Sequence, residues 1–152
     1  MFKFTLVPSE FFGEGSAYDF LSSVTPLDET VSVKSIELPQ YKAVLVYCGN
    51  DVRASVVQKE AESLTCVSYF NKVLVGMCVK GHIDILIALG KKLVIMNSFR
   101  AEDAVTALFY IVSAMAEFKL KPGLSVLNVF GTDTIGLTEE AIRIFKGVEV
   151  VS

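Results

Sequence analysis

Stretches with the two-residue period of a β-strand alternate along this chain with stretches of helical spacing, and this alternation restricts the fold more than any other feature. Residues 31–38 and 42–48 are both rich in β-branched or aromatic residues, so they predict an antiparallel hairpin. Residues 52–64 then place apolar side chains at helical spacing. A second hairpin is predicted over residues 83–96. Alternating strands and helices predict an α/β fold, and the hairpins make its sheet mixed, with helices packed against it.

Weaker patterns predict the remaining elements. Residues 2–7 alternate like a strand, and Pro8 suits the start of a short helix. Between the two hairpins we predict a short strand and then a short apolar helix, over residues 65–70 and 71–79. After the second hairpin we predict a long, largely apolar helix capped by Asn97-Ser98, a strand, a helix capped by Thr138 and a final strand, the two strands covering residues 124–130 and 148–151.

Length and composition are those of a folded protein. The chain has 152 residues, of which 52% are hydrophobic and 20% charged, so disorder is excluded. This length corresponds to one domain or two small lobes. We predict a first lobe over residues 1–80 and a second over residues 81–152, with one compact unit as the alternative.

Charge and cysteine content restrict the environment and the partners. The net charge is −3 and the basic residues are scattered, with Lys91-Lys92 as the only adjacent pair, which argues against nucleic-acid binding. The apolar run over residues 104–116 is too short to span a bilayer, so no membrane insertion is expected. Three cysteines, without a recognisable signal peptide at the start, predict a cytoplasmic protein.

Metal and nucleophile patterns are weak. Cys78 and His82 are four residues apart, and Cys48 and Cys66 would complete four zinc ligands, but the spacings match no zinc module. We therefore expect no metal and interpret the cysteines as small apolar residues. A nucleophile–base pair of Cys78 and His82 has no other support in the sequence.

Three other places could carry function. The loop over residues 131–136 follows a strand and could present backbone N–H groups to an anion, although its residues also suit an ordinary turn. Asp84 shares one side of its strand with His82 and could hold a metal or a water, or could simply be an edge carboxylate. Phe11 and Phe12, beside two glycines, are the candidate contact patch, whereas the other phenylalanines are expected to fill the core.

Several short segments together resemble one superfamily. The order of residues 42–47, 64–67 and 82–85, with helices between them, resembles the actin-like proteins, which include sugar kinases, heat-shock chaperones, actin, and bacterial division and pilus-assembly homologues. Residues 6–12, 95–99 and 107–111 resemble more specifically a Bacteroidetes family with an actin-like fold and no established activity. The resemblance covers nearly the whole chain and implies an actin-like, ribonuclease-H-like lobe.

The resemblance implies a nucleotide site that this sequence only partly keeps. Active members carry Asp-x-Gly-x-x-Thr in the hairpin that we match to residues 83–96; here Asp84 is kept, but Leu86 replaces the glycine and Leu89 lies near the hydroxyl position. A leucine side chain would crowd a phosphate and offers no donor. The adenosine motif keeps one glycine, Gly131, followed by Thr132 and Asp133. These residues and Asp84 are the candidate phosphate-facing positions.

Two functions remain after these departures. We favour a non-catalytic interaction or assembly module without a cofactor, with a protein partner or a second copy bound. The alternative is an ATP-binding ATPase or phosphotransferase in which Asp84 orients Mg²⁺ or water. The resemblance also implies strands and a helix before Phe2, so the first lobe is expected to be incomplete. A sheet edge left unpaired in this way would favour self-association.

Overall fold

A three-stranded antiparallel sheet begins the structure, a computed structural model that describes residues 2–151. Its order is β1-β3-β2, so the last strand in sequence lies in the middle. The hairpin predicted around Pro39–Tyr41 is confirmed, with a 3₁₀ turn at those residues and Lys42 in the left-handed region at φ 50°. The elements of this part are β1 (Lys3–Pro8), α1 (Ser9–Phe12), α2 (Ala17–Ser22), β2 (Lys34–Leu38) and β3 (Ala43–Cys48).

One face of this sheet carries a small core. Alternate residues of β3, Val44 and Val46, lie with Val7 of β1 against Leu21 of α2, and all four are buried. Strand alternation places these side chains on one face. Helix α2 begins with a capping box, in which Ser16 and Asp19 satisfy each other's backbone N–H groups.

Helix α3 (Asp51–Thr65) follows, as the helical spacing predicts. The Asn50 side chain accepts hydrogen bonds from the backbone N–H groups of Val52 and Arg53, at 2.8 and 3.2 Å. The chain divides into two compact units within this helix, between Lys59 and Glu60.

The second unit is built on a five-stranded mixed sheet in the order β6-β5-β4-β7-β8. Strands β4, β5 and β6 form an antiparallel meander, whereas β7 lies parallel to β4, and β8 lies parallel to β7. The predicted α/β class with a mixed sheet is therefore confirmed. The elements are β4 (Asn71–Met77), β5 (His82–Leu89), β6 (Lys92–Arg100), α4 (Ala104–Glu117), a 3₁₀ turn (Pro122–Leu124), β7 (Val126–Gly131), α5 (Leu137–Ala141) and β8 (Gly147–Val151).

Strand β4 corrects the sequence interpretation of residues 65–79. The predicted helix over residues 71–79 is the central strand of this sheet, and most of the predicted strand before it is the loop after α3. A central strand is buried on both faces, so it has a continuous apolar run instead of an alternation, and periodicity cannot separate such a run from a short helix. Strand β4 belongs to the sheet of the second compact unit, which begins at Glu60, whereas the sequence predicts lobes over residues 1–80 and 81–152.

The start of α4 also lies later than predicted. Strand β6 continues through Asn97 and Ser98 to Arg100, and the cap is Asp103, whose carboxylate accepts from the Thr106 N–H at 2.7 Å. On one face of the sheet, alternate residues of the strands pack against α4 and α5. On the helix side of this contact, Ile111 and Met115 of α4 are fully buried.

A glutamate covers the centre of the other face. Glu60 of α3 is fully buried, and its carboxylate lies where a side chain at Gly76 would project. Gly76 is paired across the sheet with Asp84 of β5, which is 2% exposed. Directly opposed residues of antiparallel strands project to the same face. Two buried acidic side chains therefore lie side by side on this face.

Candidate functional site

The first candidate site is a cavity of about 890 Å³ in the second unit. It lies where β4 ends at Met77 and β7 ends at Gly131, which is the carboxyl end of these two parallel strands. Ligands of open α/β sheets usually bind at this end. The lining residues are Met77, Cys78, Lys80, Gly81, Glu102, Gly131, Thr132, Thr134 and Ile135.

Glycine at residue 131 allows the two strand ends to come together. Gly131 has φ 97°, a conformation that other residues rarely adopt. A Cβ on it would lie 3.0 Å from the carbonyl carbon of Met77 and 3.0 Å from the Cys78 Sγ. The backbone at Gly131 is therefore in close contact with the turn that joins β4 to β5, and both form the cavity wall.

Among the described residues of the cavity wall, one is a cation and one an anion. Lys80 supplies the ammonium group and Glu102 the carboxylate. Glu102 also lies 3.6 Å from the Arg100 guanidinium, with both side chains largely exposed, so this ion pair is weak. Thr132 and Thr134 add two exposed hydroxyl groups. The wall can therefore bind a small polar ligand through one ammonium group and hydroxyl or backbone donors.

Asp133, a candidate phosphate-facing residue, has its carboxylate bonded to the backbone. Its oxygens accept from the N–H groups of Ile135 and Leu137 at 3.1 Å and of Thr138 at 2.8 Å. Burial by itself raises the pKa of Asp133, but these backbone donors outweigh it and hold the pKa below its usual value. Asp133 thus orders the loop before α5, while its neighbours Gly131 and Thr132 line the cavity.

Asp84, the other candidate carboxylate, is buried in β5 and is not among the described residues that line the cavity. Its cross-strand neighbours are Gly76 and Ser98. Leu86, at the position where the resemblance expects glycine, is fully buried in the same strand. The structure thus brings Gly131 and Thr132 together at the cavity and places Asp84 within the sheet.

The proposed contact patch is divided between surface and core. Phe11 is 47% exposed. Phe12 packs against the core of the first unit, and its ring stacks on that of Phe20 at a centroid distance of 5.9 Å. Of this pair, Phe11 is the residue available for contact.

An exposed apolar pair on α4 was not predicted. Val105 and Phe109 are four residues apart, so they lie on one helix face, and they are 73% and 66% exposed. Phe109 was expected in the core, as was Phe70, which is 76% exposed. The sequence signal was present but not decisive, because α4 is apolar around most of its circumference and its spacing does not show which side is open.

The remaining cavity residues were also missed. Lys80, Gly81 and Glu102 come from two separate turns on either side of the β5–β6 hairpin, and the available signal was the Lys80-Gly81 turn after an apolar strand. Within residues 2–151 no three His, Cys, Asp or Glu side chains are grouped as metal ligands would be. No helix in that part of the chain has the length and apolarity needed to cross a bilayer.

Comparison with known proteins identifies the fold. No protein-family model matches the sequence, and no curated protein does so. The structure is similar to a Bacteroides thetaiotaomicron crystal structure described as a protein with actin-like ATPase fold and unknown function, with a TM-score of 0.76 and 17% identity. The similarity covers 97% of this chain and 64% of that one, so this chain spans less than two thirds of it. The chain has an actin-like fold, and the predicted resemblance is confirmed.

Proposed function

We propose that this chain is a non-catalytic interaction module with an actin-like fold, which binds a protein partner or a second copy. The observation that carries the proposal is the exposed pair of Val105 and Phe109 on α4. Exposed apolar side chains that lie together on one face mark interaction sites, and aromatic residues contribute most of the energy at such sites. Phe11 offers a second exposed aromatic contact in the first unit.

The state of the two candidate aspartates supports a non-catalytic role. Phosphoryl transfer needs carboxylates that hold Mg²⁺ and cations placed around the phosphate. Asp133 is bonded to three backbone N–H groups, and Asp84 is buried within the sheet. Lys80 is the one lysine on the cavity wall formed by the described residues. Cys48, Cys66 and Cys78 are not joined in disulfides, which fits a reducing compartment such as the cytoplasm.

Self-association is tested by sedimentation velocity of the full chain over a range of concentrations. We expect the wild type to associate and Val105→Glu/Phe109→Glu to sediment as a monomer. Val52→Glu, at a site 73% exposed on α3, is the matched control and should behave as the wild type. A wild type that stays monomeric at high concentration contradicts self-association; unchanged association of the double variant contradicts the role of the α4 pair.

Nucleotide binding is the second candidate function, and the cavity at the carboxyl ends of β4 and β7 favours it. There Gly131, Thr132 and Lys80 would face a phosphate group. A ligand at a hundred times its Kd stabilises a protein by about 2.7 kcal/mol. For a chain of this length that corresponds to a rise in Tm of roughly 5–10 °C. A thermal melt with Mg²⁺–ATP therefore decides between the functions: a rise of this size, lost in Lys80→Gln, would support nucleotide binding, and no rise would support the non-catalytic proposal.

A further inference from the structure

A second cavity in the same unit lies at the opposite end of the sheet from the first. It measures about 370 Å³ and is lined by Asn71 and Val126, the first residues of β4 and β7. Its volume falls within the range of small-molecule sites. Neither the proposed interaction surface on α4 nor the candidate nucleotide cavity includes any of its residues, so it requires its own explanation.

Three lysines from two segments of the chain line this cavity. Lys119 follows α4, Lys121 precedes the 3₁₀ turn and Lys146 precedes β8. The backbone N–H of Lys146 bonds to the carbonyl groups of Pro122 and Ser125, both at 3.0 Å, which fixes it beside the turn. The lining thus includes three lysines, two from the connection after α4 and one from the segment before β8.

Positive charge exceeds negative charge at this cavity. Its described lining includes no aspartate or glutamate. Tyr69 of this lining donates a hydrogen bond at 3.2 Å to the carboxylate of Glu149. A sphere of 370 Å³ is about 9 Å across, close to the screening length of physiological salt. Three ammonium groups and one carboxylate leave two positive charges in excess, and their repulsion is relieved by a dianion.

Lys119 occupies a backbone position that favours glycine. Its φ is 58°, and the N–H groups of Lys119 and Leu120 bond to the carbonyl groups of Ala116 and Met115, at 3.1 and 3.0 Å. This pattern ends a helix with a residue in the left-handed conformation, which costs free energy for any residue with a side chain. The partial negative charge at the end of α4 favours a lysine there, and a bound anion would favour it further.

Apolar surface adjoins the three lysines. Leu124 is 76% exposed and Tyr69 is 40% exposed, and both line the cavity. We propose that this cavity binds a phosphate monoester with an apolar organic group. Lys119, Lys121 and Lys146 contact the phosphate, while Leu124 and Tyr69 contact the organic group. A phosphate monoester carries close to two negative charges at neutral pH, which matches the excess, whereas a carboxylate carries one.

The probe is phenyl phosphate, titrated into the full chain by calorimetry at constant ionic strength. We expect saturable binding that Lys121→Gln/Lys146→Gln weakens at least about tenfold. Lys59→Gln/Arg100→Gln removes the same charge from two exposed residues outside the described lining and should leave the affinity unchanged. Benzoate should bind more weakly than phenyl phosphate. No saturable binding, equal weakening in both double variants, or equal affinity for benzoate would overturn the proposal.

A second arm identifies the source of the phosphate. Vesicles of phosphatidylcholine with and without phosphatidic acid are sedimented with the wild type and both double variants. Binding that requires phosphatidic acid and is lost in Lys121→Gln/Lys146→Gln assigns the site to a lipid headgroup; phenyl phosphate binding without vesicle binding assigns it to a soluble ester. The sedimentation result for the α4 pair is independent of either outcome.

Discussion

The carboxylate of Glu60 fills the space into which a side chain at Gly76 would project. Both residues lie in the second unit, and Glu60 is fully buried. A Cβ at residue 76 would overlap that carboxylate, and protein interiors are in general close-packed, so the carboxylate would have to move. Glycine at this point of β4 is therefore required by the glutamate.

Gly76→Ala should lower the free energy of unfolding by about 1–3 kcal/mol, because the new methyl group displaces the Glu60 carboxylate. Urea denaturation measures the change. Gly123→Ala is the matched control, since no atom beyond its two chain neighbours lies within 4 Å of the position its Cβ would take. The cost of Gly76→Ala should shrink in a Glu60→Ala background. Equal costs in the two backgrounds would show that the two positions are not in contact.

Asp133→Ala should destabilise the chain by about 1–2 kcal/mol, because three backbone N–H groups before and within α5 lose their acceptor. Glu139→Ala, on an exposed side chain in the first turn of α5, should change the free energy by less than about 0.5 kcal/mol. Denaturant titration of both variants provides the comparison. Similar effects of the two substitutions would mean that the carboxylate of Asp133 does not order the loop.

Asp133 should also make stability depend on pH in the acid range. Its pKa in the folded chain lies below the ordinary value of 3.8. A group with a lowered folded-state pKa contributes stability that is fully present above its unfolded pKa. That stability is lost as the pH falls from about 3.8 through the lower folded value. As the pH falls through this range, the difference in unfolding free energy between wild type and Asp133→Asn should therefore become smaller. A difference that stays constant would contradict the lowered pKa of Asp133.

Asp51→Asn should lower the pKa of Tyr47. Burial is the main cause that raises this pKa, and Asp51, which accepts the Tyr47 hydroxyl at 3.0 Å, raises it further. Loss of the negative charge of Asp51 removes its contribution to the raised pKa of Tyr47 and leaves the contribution of burial. The titration is followed by NMR of ¹³C-labelled tyrosine. Tyr69, whose pKa is raised chiefly by the charge of Glu149, is the internal control and should not move.

Lys119→Gly should raise the free energy of unfolding by about 0.5–1 kcal/mol. The left-handed backbone costs a residue with a side chain about 1–2 kcal/mol, and glycine relieves this strain. The greater freedom of glycine in the unfolded chain offsets part of the stability gained. Lys121→Gly, at φ −107°, relieves no strain and should destabilise the chain. Thermal melts of both variants test this, and an Lys119→Gly variant no more stable than wild type would contradict it.

Local patterns predicted the elements whose environment follows from local sequence. The β2–β3 hairpin could be recognised from two runs of β-branched and aromatic residues on either side of Pro39–Tyr41, although β3 is buried along its whole length. Helix α3 has a clear cap at Asn50. Strand β4 has neither feature, because neighbours on both sides and both faces bury it. Its identity depends on β7, which lies about fifty residues later in the chain.

Only part of the candidate site could be predicted from the sequence, because some of its residues come from separate segments of the chain. Gly131 and Thr132 could be recognised because they follow a strand and precede a helix in one short segment. Lys80 and Glu102 come from other turns and reach the cavity through strand pairing. Asp84 and Asp133 have the residue type that phosphate chemistry uses, but whether a carboxylate faces a cavity or the backbone depends on contacts that a sequence pattern does not contain.

The parallel pairing of β4 with β7 also sets an order of assembly. During synthesis the β4–β6 meander emerges from the ribosome well before β7. Val73 of β4 therefore stays without its pairing partner until Leu127 of β7 has been synthesised. Until then the inner edge of β4 has its hydrogen-bonding groups free, in a strand that is apolar on both faces. A fragment of this chain that ends before Val126 would leave that edge of β4 permanently unpaired. The chain is thus most prone to aggregation while β4, the central strand of the finished sheet, is still an edge strand.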